Sequence, residues 1–322
     1  MSAQASTPVA ATPDSAIGPQ RVAFVVMLAF FALAPLVIYP VFLMKVMCFA
    51  LFACAFNLLI GFGGLLSFGH AMFLGTAGYV AAHAAKEWGW TPELALLAAA
   101  VVATVLGFGA GMIAIRRQGI YFSMITLALA QMIFFFYLQT PFTHGEDGIQ
   151  AVPRGSLFGL VDLSTSATMY PFVMAVFFGG FLLIWRIVHS PFGQILKAIR
   201  ENEARATSLG YDTDRYKLAA FVLSGGIAGL AGGTKALVFQ LASLTDAHWS
   251  MSGEVVLMTL VGGLGTIFGP VVGAAVIVTM QNYLAQLGAW VTVVQGVIFV
   301  VCVLSFRRGI VGEIGNFMRK SL

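Results

Sequence analysis

The chain is built largely from apolar stretches of about 20 residues, the length an α-helix needs to cross the hydrocarbon of a bilayer. They fall near 22–39, 41–60, 64–85, 94–115, 120–139, 170–188, 217–238, 253–269, 270–287 and 290–305 of the 322 residues. Lipid offers no hydrogen-bond partners to open backbone, so segments of this kind cross it as helices. The expected fold is therefore all-α: a polytopic integral membrane protein with about ten transmembrane helices. Composition agrees, with 59% hydrophobic and only 9% charged residues, against about a quarter charged in a soluble domain. Gly and Pro interrupt the pattern at 40–64 and 253–287, where broken or re-entrant segments are expected.

The few charges set a direction. The longest charged run is 190–217, SPFGQILKAIRENEARATSLGYDTDRYK, between two apolar spans. Basic loops are retained on the cytoplasmic side. Arg21 before the first span, Arg116 and Arg117 after the fourth, and Arg307, Arg308, Arg319 and Lys320 after the tenth then fall on that same side. The opposite loops carry Glu87, Glu93, Glu146, Asp147 and Asp162 against Lys86 and Arg154. Both termini are predicted to be cytoplasmic. Residues 1–20 read as a disordered tail, 21–310 as the membrane domain, and 311–322 as a second tail. The first tail lacks the charged start of a signal peptide. The net charge of +4 sits in these loops and gives no reason to expect nucleic acid.

Inside the charged run, 194–209 reads as one short helix. Pro191 precedes its first turn, Gly210 follows as a C-cap, and Glu201 and Arg205 lie four apart in the favourable order. Ala204 and Ala206 are small enough for another protein surface to approach closely. By pattern alone this is either a solvated surface helix or a grip for a cytoplasmic partner.

Two glycine-rich stretches resemble each other, GFGGLLSFG at 61–69 and VGGLGTIFG at 261–269. At an offset of 200 residues, Gly63 matches Gly263, Phe68 matches Phe268 and Gly69 matches Gly269. Transporters built from repeated halves often place their pathway at such interrupted helices. Gly63, Gly69, His70, Gly263 and Gly269 are therefore pathway candidates. The remaining glycines, among them Gly107, Gly109, Gly111, Gly225, Gly226, Gly229, Gly232 and Gly233, suit close helix packing in lipid. Asn57, Ser67, Thr126, Gln131, Lys235, Glu254 and Gln281 are the other main polar residues of the spans. Lys235 and Glu254 are expected near the outer surface.

Motifs for soluble chemistry are absent from the sequence. GLAGGTK at 229–235 lacks the Gly-Lys-Ser/Thr ending of a phosphate loop. Cys48, Cys54 and Cys302 are spaced neither as a disulfide framework nor as metal ligands. The acidic loop 140–169 holds His144, Glu146 and Asp147, without the further ligands a metal site needs. No catalytic residue, bound cofactor or metal is expected on this chain. An ion-coupled carrier or channel is the competing class, and it would be expected to bury more carboxylates than this chain holds.

Across about residues 40–312 the chain resembles the permease subunits of branched-chain amino-acid ABC importers. The resemblance rests on AFNLLIGFGGLLSFGHAMFLGTAGY (55–79), GIYFSMITLALAQM (119–132), GEDGIQAVPR (145–154), YKLAAFVLSGGIAGLAG (216–232) and LVGGLGTIFGPVVGA (260–274). The second and third segments resemble the longer of the family's two permeases. The resemblance implies a complex in the bacterial inner membrane. A second permease would share the pore, two cytoplasmic ATP-binding subunits would hold ATP and Mg, and a periplasmic binding protein would deliver substrate. Glu203 and Ala204 with Gly210 look like the motif that couples such permeases to their ATPases, which makes Glu201, Glu203, Ala204 and Gly210 coupling candidates. The loop 140–169 would receive the binding protein, with Asp147, Gly148 and Arg154 as docking candidates. Relatives also import urea, amides and aromatic carboxylates, so the resemblance leaves the substrate open. Lys235 departs from the family pattern, which favours an apolar or small residue there.

Overall fold

The computed structural model describes residues 13–285, 288, 290–305 and 309–317, and these are almost wholly helical. Helix α1 (Pro13–Leu33) leads through a tight turn into α2 (Pro40–Asn57), which ends in a π-turn at Leu58–Phe62. An open segment, 64–69, precedes α3 (His70–Lys86), followed by α4 (Pro92–Ala114) and α5 (Ile120–Gln139). The loop after α5 carries strands β1 (Ile149–Gln150), β2 (Ser156–Leu157) and β3 (Val161–Asp162). Then come α6 (Ser166–His189), the short α7 (Pro191–Glu201) and α8 (Glu203–Ser208), α9 (Thr213–Phe239) and β4 (Leu241–Ala242). Helix α10 (Trp249–Gly262) and α11 (Gly269–Leu284) flank a second open segment, and α12 (Trp290–Ser305) and α13 (Gly309–Phe317) follow.

Among the described residues, five helical stretches are long and apolar enough to cross a membrane: Pro40–Phe62, Pro92–Ala114, Ile120–Gln139, Ser166–His189 and Thr213–Phe239. Shorter apolar helices accompany them, so the chain is an all-α multi-pass membrane protein. The expected spans 120–139 and 290–305 coincide with α5 and α12. Three expectations need correction. Helix α1 begins at Pro13, inside the stretch read as disordered tail, and ends at Leu33 because Pro35 and Pro40 cannot continue it. Residues 1–12 lie outside the described residues. The spans expected at 64–85 and 253–269 are shorter, since α3 starts at His70 and α10 stops at Gly262; in both, the glycine-rich stretch leaves the helix. Helix α13 extends into the segment read as a C-terminal tail. Arg307, Arg308, Arg319 and Lys320 lie outside the described residues.

Helix α2 forms the centre, with Met44, Phe52 and Phe56 fully buried, and Cys48 and Cys54 packed within it. The Cys302 side chain lies outside the described residues. Apolar helices gain little from leaving lipid for each other, so association depends on close packing. Helix α9 supplies it against α3 and α4. A Cβ at Gly232 would sit 2.2 Å from the Leu74 carbonyl oxygen, and one at Gly229 would sit 2.4 Å from the Ala103 methyl. Gly107 and Gly111 face α9 in the same way, whereas Gly109 has nothing within 4 Å. On their outer faces α4 and α5 expose Leu97, Val101, Val105, Met124 and Phe135, a surface suited to lipid.

The bundle has two distinct ends. One gathers α7, α8 and both open segments. At the other, the loop after α5 meets the link between α9 and α10. There β1 pairs antiparallel with β4, Ile149 opposite Ala242 and Gln150 opposite Leu241, while β2 and β3 form a small hairpin.

Candidate functional site, the seat of helix α7 on two broken helices

Helix α7 forms where the sequence offers an N-cap followed by proline. The Ser190 hydroxyl accepts from the Gly193 N–H at 3.4 Å, and Pro191 stands where a missing N–H costs nothing. Its strongly two-faced sequence turns Leu196 and Ile199 inward and leaves Gln194, Ala198 and Arg200 exposed. The buried face sits on the end of α2. A Cβ at Gly63 would meet the Leu196 side chain at 3.5 Å, and the stem of Arg200 lies beside Gly64, whose φ of +71° requires glycine. Lys197 lies 5.5 Å from the centre of the Phe62 ring, and burial lowers the pKa of its ammonium from the usual lysine value.

Arg200 reaches further. Its guanidinium donates to the carbonyl of Gly61, in the π-turn where the regular helix ladder has ended. The same guanidinium lies 3.1 Å from the position a Cβ on Gly265 would occupy. One side chain of α7 therefore touches both open segments. Asn57, at the end of α2, holds the second segment beside the first: its amide donates to the Thr266 carbonyl at 2.8 Å and accepts from the Gly265 N–H at 3.1 Å. The two stretches that resemble each other in sequence are thus neighbours in space.

Side chains take up several of the backbone groups that each open segment leaves free of a helix ladder. Ser123 donates to the Leu66 carbonyl at 2.6 Å, and Thr126 accepts from the Phe68 N–H at 3.2 Å. Both come from the first turns of α5. In the second segment the Thr266 hydroxyl caps α11 by accepting from the Gly269 N–H at 3.1 Å. Gly69 packs on the Thr126 backbone, with 2.8 Å from a Cβ to the carbonyl oxygen, and Gly269 on the Gly263 carbonyl, at 2.7 Å. Gly263, at φ +125°, lies under the start of α13, where a Cβ on Gly309 would be 2.4 Å from its Cα.

His70, the first residue of α3, is fully enclosed. Its Nε2 lies 2.8 Å from the Ser224 hydroxyl, which itself donates to the Ala55 carbonyl at 2.6 Å. That hydroxyl has one hydrogen, so the imidazole donates from Nε2. Phe56, Phe73 and Phe221 surround the ring edge-on at 4.9, 5.5 and 6.2 Å between centres. Here His70 joins α3 to α9, and through Ser224 to α2.

The coupling candidates separate. The single helix expected over 194–209 is two helices, because Asn202 takes an extended conformation and caps α8 by accepting from the Arg205 N–H at 3.0 Å. The expected Glu201–Arg205 pair is therefore not formed. Glu203 instead pairs with Lys217 of α9 and accepts from Gln118 at 2.9 Å and Thr213 at 3.2 Å. It fastens α8 to the bundle. Glu201 and Ala204 stay exposed. Gly210 ends α8 at φ +89°, its N–H on the Thr207 carbonyl at 2.9 Å, as expected for a glycine cap. Of this set, Glu201, Ala204 and Gly210 are open to a partner. Sequence reasoning missed Arg200 and Leu196 as contacts of the broken helices. Asn57 was visible as a polar residue four positions before the first glycine motif, although nothing in the sequence gave its partner.

At the other end Asp147 is exposed, while Gly148 and Arg154 have tasks within the chain. Gly148 has φ +66°, and a Cβ there would lie 2.2 Å from the Ala242 carbonyl oxygen. Arg154 donates to the carbonyls of Ser164 at 3.0 Å and Val238 at 2.8 Å, pinning the loop to the end of α9.

A family model described as the permease component of the branched-chain amino acid transport system matches residues 39–303. The high-affinity branched-chain amino acid transport system permease protein LivM of Escherichia coli (strain K12) is 25% identical over 287 residues, covering 82% of this chain and 68% of that protein. The probable branched-chain amino acid transport permease protein LivH of Methanocaldococcus jannaschii is 30% identical over 122 residues, covering 38% and 36%. The autoinducer 2 import system permease protein LsrC of Salmonella paratyphi B is 28% identical over 218 residues, covering 63% and 59%. No solved structure matches the chain.

Proposed function

The chain belongs to the family of permease components of branched-chain amino acid transport systems, and from that premise we propose that it is the membrane subunit of an ATP-driven importer. Its cargo is a branched-chain amino acid or a related small solute. ATP is hydrolysed on separate cytoplasmic subunits, a second permease completes the pathway, and a periplasmic protein delivers the cargo to the end that carries β1–β4. The exposed faces of α7 and α8, with Glu201, Ala204 and Gly210, receive the ATPase.

The observation that carries this reading is the contact of Arg200 with both broken helices. A push on α7 from outside the bilayer reaches the Gly61 carbonyl and the Gly265 turn through one side chain. Rigid-body transfer of this kind suits a permease that changes access when its ATPases close. The test is purification of the tagged chain from its native membranes in mild detergent. Nucleotide-binding subunits and a second permease should accompany it, and reconstituted vesicles should accumulate leucine only with ATP. Leucine uptake driven by an ion gradient, with no ATPase bound, would overturn the proposal.

A further inference from the structure

At the end opposite α7, a cavity of about 690 Å³ opens among α2, α9, α10, α11 and the link before α10. Its wall holds four charged residues, Lys45, Lys235, Asp246 and Glu254. Charged groups at membrane depth face water or a partner rather than lipid. Lys235 is accounted for: it pairs with Asp246 and lies 5.5 Å from the Phe49 ring centre. Glu254 has only a neutral partner, accepting from the Gln281 amide at 3.0 Å. Lys45 has neither an ion pair nor a side-chain hydrogen bond among the described residues, where the ion pairs are Arg215–Asp212, Lys217–Glu203 and Lys235–Asp246. Lys45 and Glu254 therefore face the same cavity and sense each other's charge, but no salt bridge joins them and neither has another ion-pair partner among the described residues. Phe49, Phe239 and Met251 supply its apolar wall.

We propose that this cavity is a binding site for a small zwitterion with a hydrocarbon side chain, an α-amino acid. Lys45 takes the carboxylate, Glu254 takes the ammonium, and the aromatic wall takes the side chain. A ligand with one charge alone leaves the other protein group unmatched in a half-buried setting, so it binds worse. The inference rests on the function proposed above and names the class of cargo for it.

Equilibrium binding of radiolabelled leucine to the full-length chain in lipid nanodiscs tests the site. Lys45→Gln and Glu254→Gln should each weaken binding by at least about ten-fold, the loss of one charge-assisted contact. Lys45→Arg and Glu254→Asp keep the charges and should retain binding. Isovalerate and isoamylamine, each lacking one of the two charges, should compete poorly with leucine at the parent protein. Lys45→Gln should abolish the advantage of leucine over isoamylamine, and Glu254→Gln its advantage over isovalerate. Unchanged binding in both Gln variants, loss in the charge-keeping variants as well, or no leucine binding by the parent overturns the proposal. ATP-dependent leucine uptake by the complete importer is scored separately. Uptake without binding at this cavity sinks this inference alone, and absent uptake sinks the functional reading.

Discussion

Arg200 and Asn57 hold the backbone groups that two broken helices leave open. Asn57 makes both of its bonds to one turn, donating to Thr266 and accepting from Gly265. Leucine at this position keeps the volume and removes both partners, and a buried backbone group left unsatisfied costs about 1–3 kcal/mol. Asn57→Leu should therefore lower the thermal midpoint of the detergent-purified protein, as read by loss of the monodisperse peak on size exclusion after heating. An unchanged midpoint would mean that water replaces the amide. Arg200 is more exposed, and on the proposed function its contact with Gly61 carries the motion of α7 rather than stabilising the fold. Arg200→Gln should leave the amount of membrane protein and the bound ATPase unchanged, while uptake falls by about ten-fold or more and ATP hydrolysis continues. Arg200→Lys should not restore uptake, because a single ammonium cannot span Gly61 and the Gly265 turn as the planar guanidinium does. Full uptake by the Gln variant would remove Arg200 from the path between α7 and the broken helices.

Between α6 and α9 the chain makes two short helices with different duties. Helix α7 is seated inward through Leu196 and Ile199; α8 is held by Glu203 and leaves Ala204 outside. Ala204→Trp adds bulk to an open face, where a substitution in the free permease changes stability by no more than about 0.5 kcal/mol. The variant should insert normally and lose both ATPase association and uptake. Gly210→Val forces a β-branched residue to φ +89°, so it should loosen the end of α8 and weaken the same association. Quantifying the permease, its ATPase and uptake in the same membranes checks both, and normal association in both variants would sink the docking assignment. The long helices were legible because 20 apolar residues in lipid have few other ways to satisfy their backbone. The glycine caps were legible for a similar reason, since φ beyond +60° is open to few other residues. The division of α7 from α8 has a signal in the sequence, Asn202 three residues before the N–H it caps. The Glu203–Lys217 pair had none, because it depends on how α8 folds back on α9. The lengths of α3 and α10 are not legible in the sequence, because a glycine-rich run reads equally as tightly packed helix or as open chain. Only the side chains of Asn57, Ser123, Thr126 and Arg200, brought from elsewhere, decide for the open form.

For the molecule as a whole, the two ends differ in charge and in where the exposed tryptophans lie. The α7 end carries Arg116, Arg117, Lys197, Arg200, Arg205, Arg215 and Lys217 against Glu201, Glu203, Asp212 and Asp214, and the opposite end carries Glu87, Glu93, Glu146, Asp147, Asp162, Asp246 and Glu254 against Lys45, Lys86, Arg154 and Lys235. Exposed Tyr39, Trp88, Trp90, Trp249 and Trp290 lie at helix ends on that acidic side, where aromatic rings mark a membrane–water boundary. Basic loops remain in the cytoplasm, so this asymmetry predicts α7 inward and β1–β4 outward. Single cysteines at Ser208, exposed in α8, and Ser156, part-exposed in β2, read that orientation directly. The background is favourable: Cys48 and Cys54 are buried in α2, and Cys302 can be replaced by serine. A membrane-impermeant maleimide added to intact cells with a permeable outer layer should label Ser156→Cys, and should label Ser208→Cys only after the inner membrane is opened. The reverse pattern would turn the molecule over. It would place the Arg200 seat away from any cytoplasmic ATPase and the charged cavity on the cytoplasmic side, so coupling through α7 and delivery of cargo to Lys45 and Glu254 from outside would both fail on one measurement.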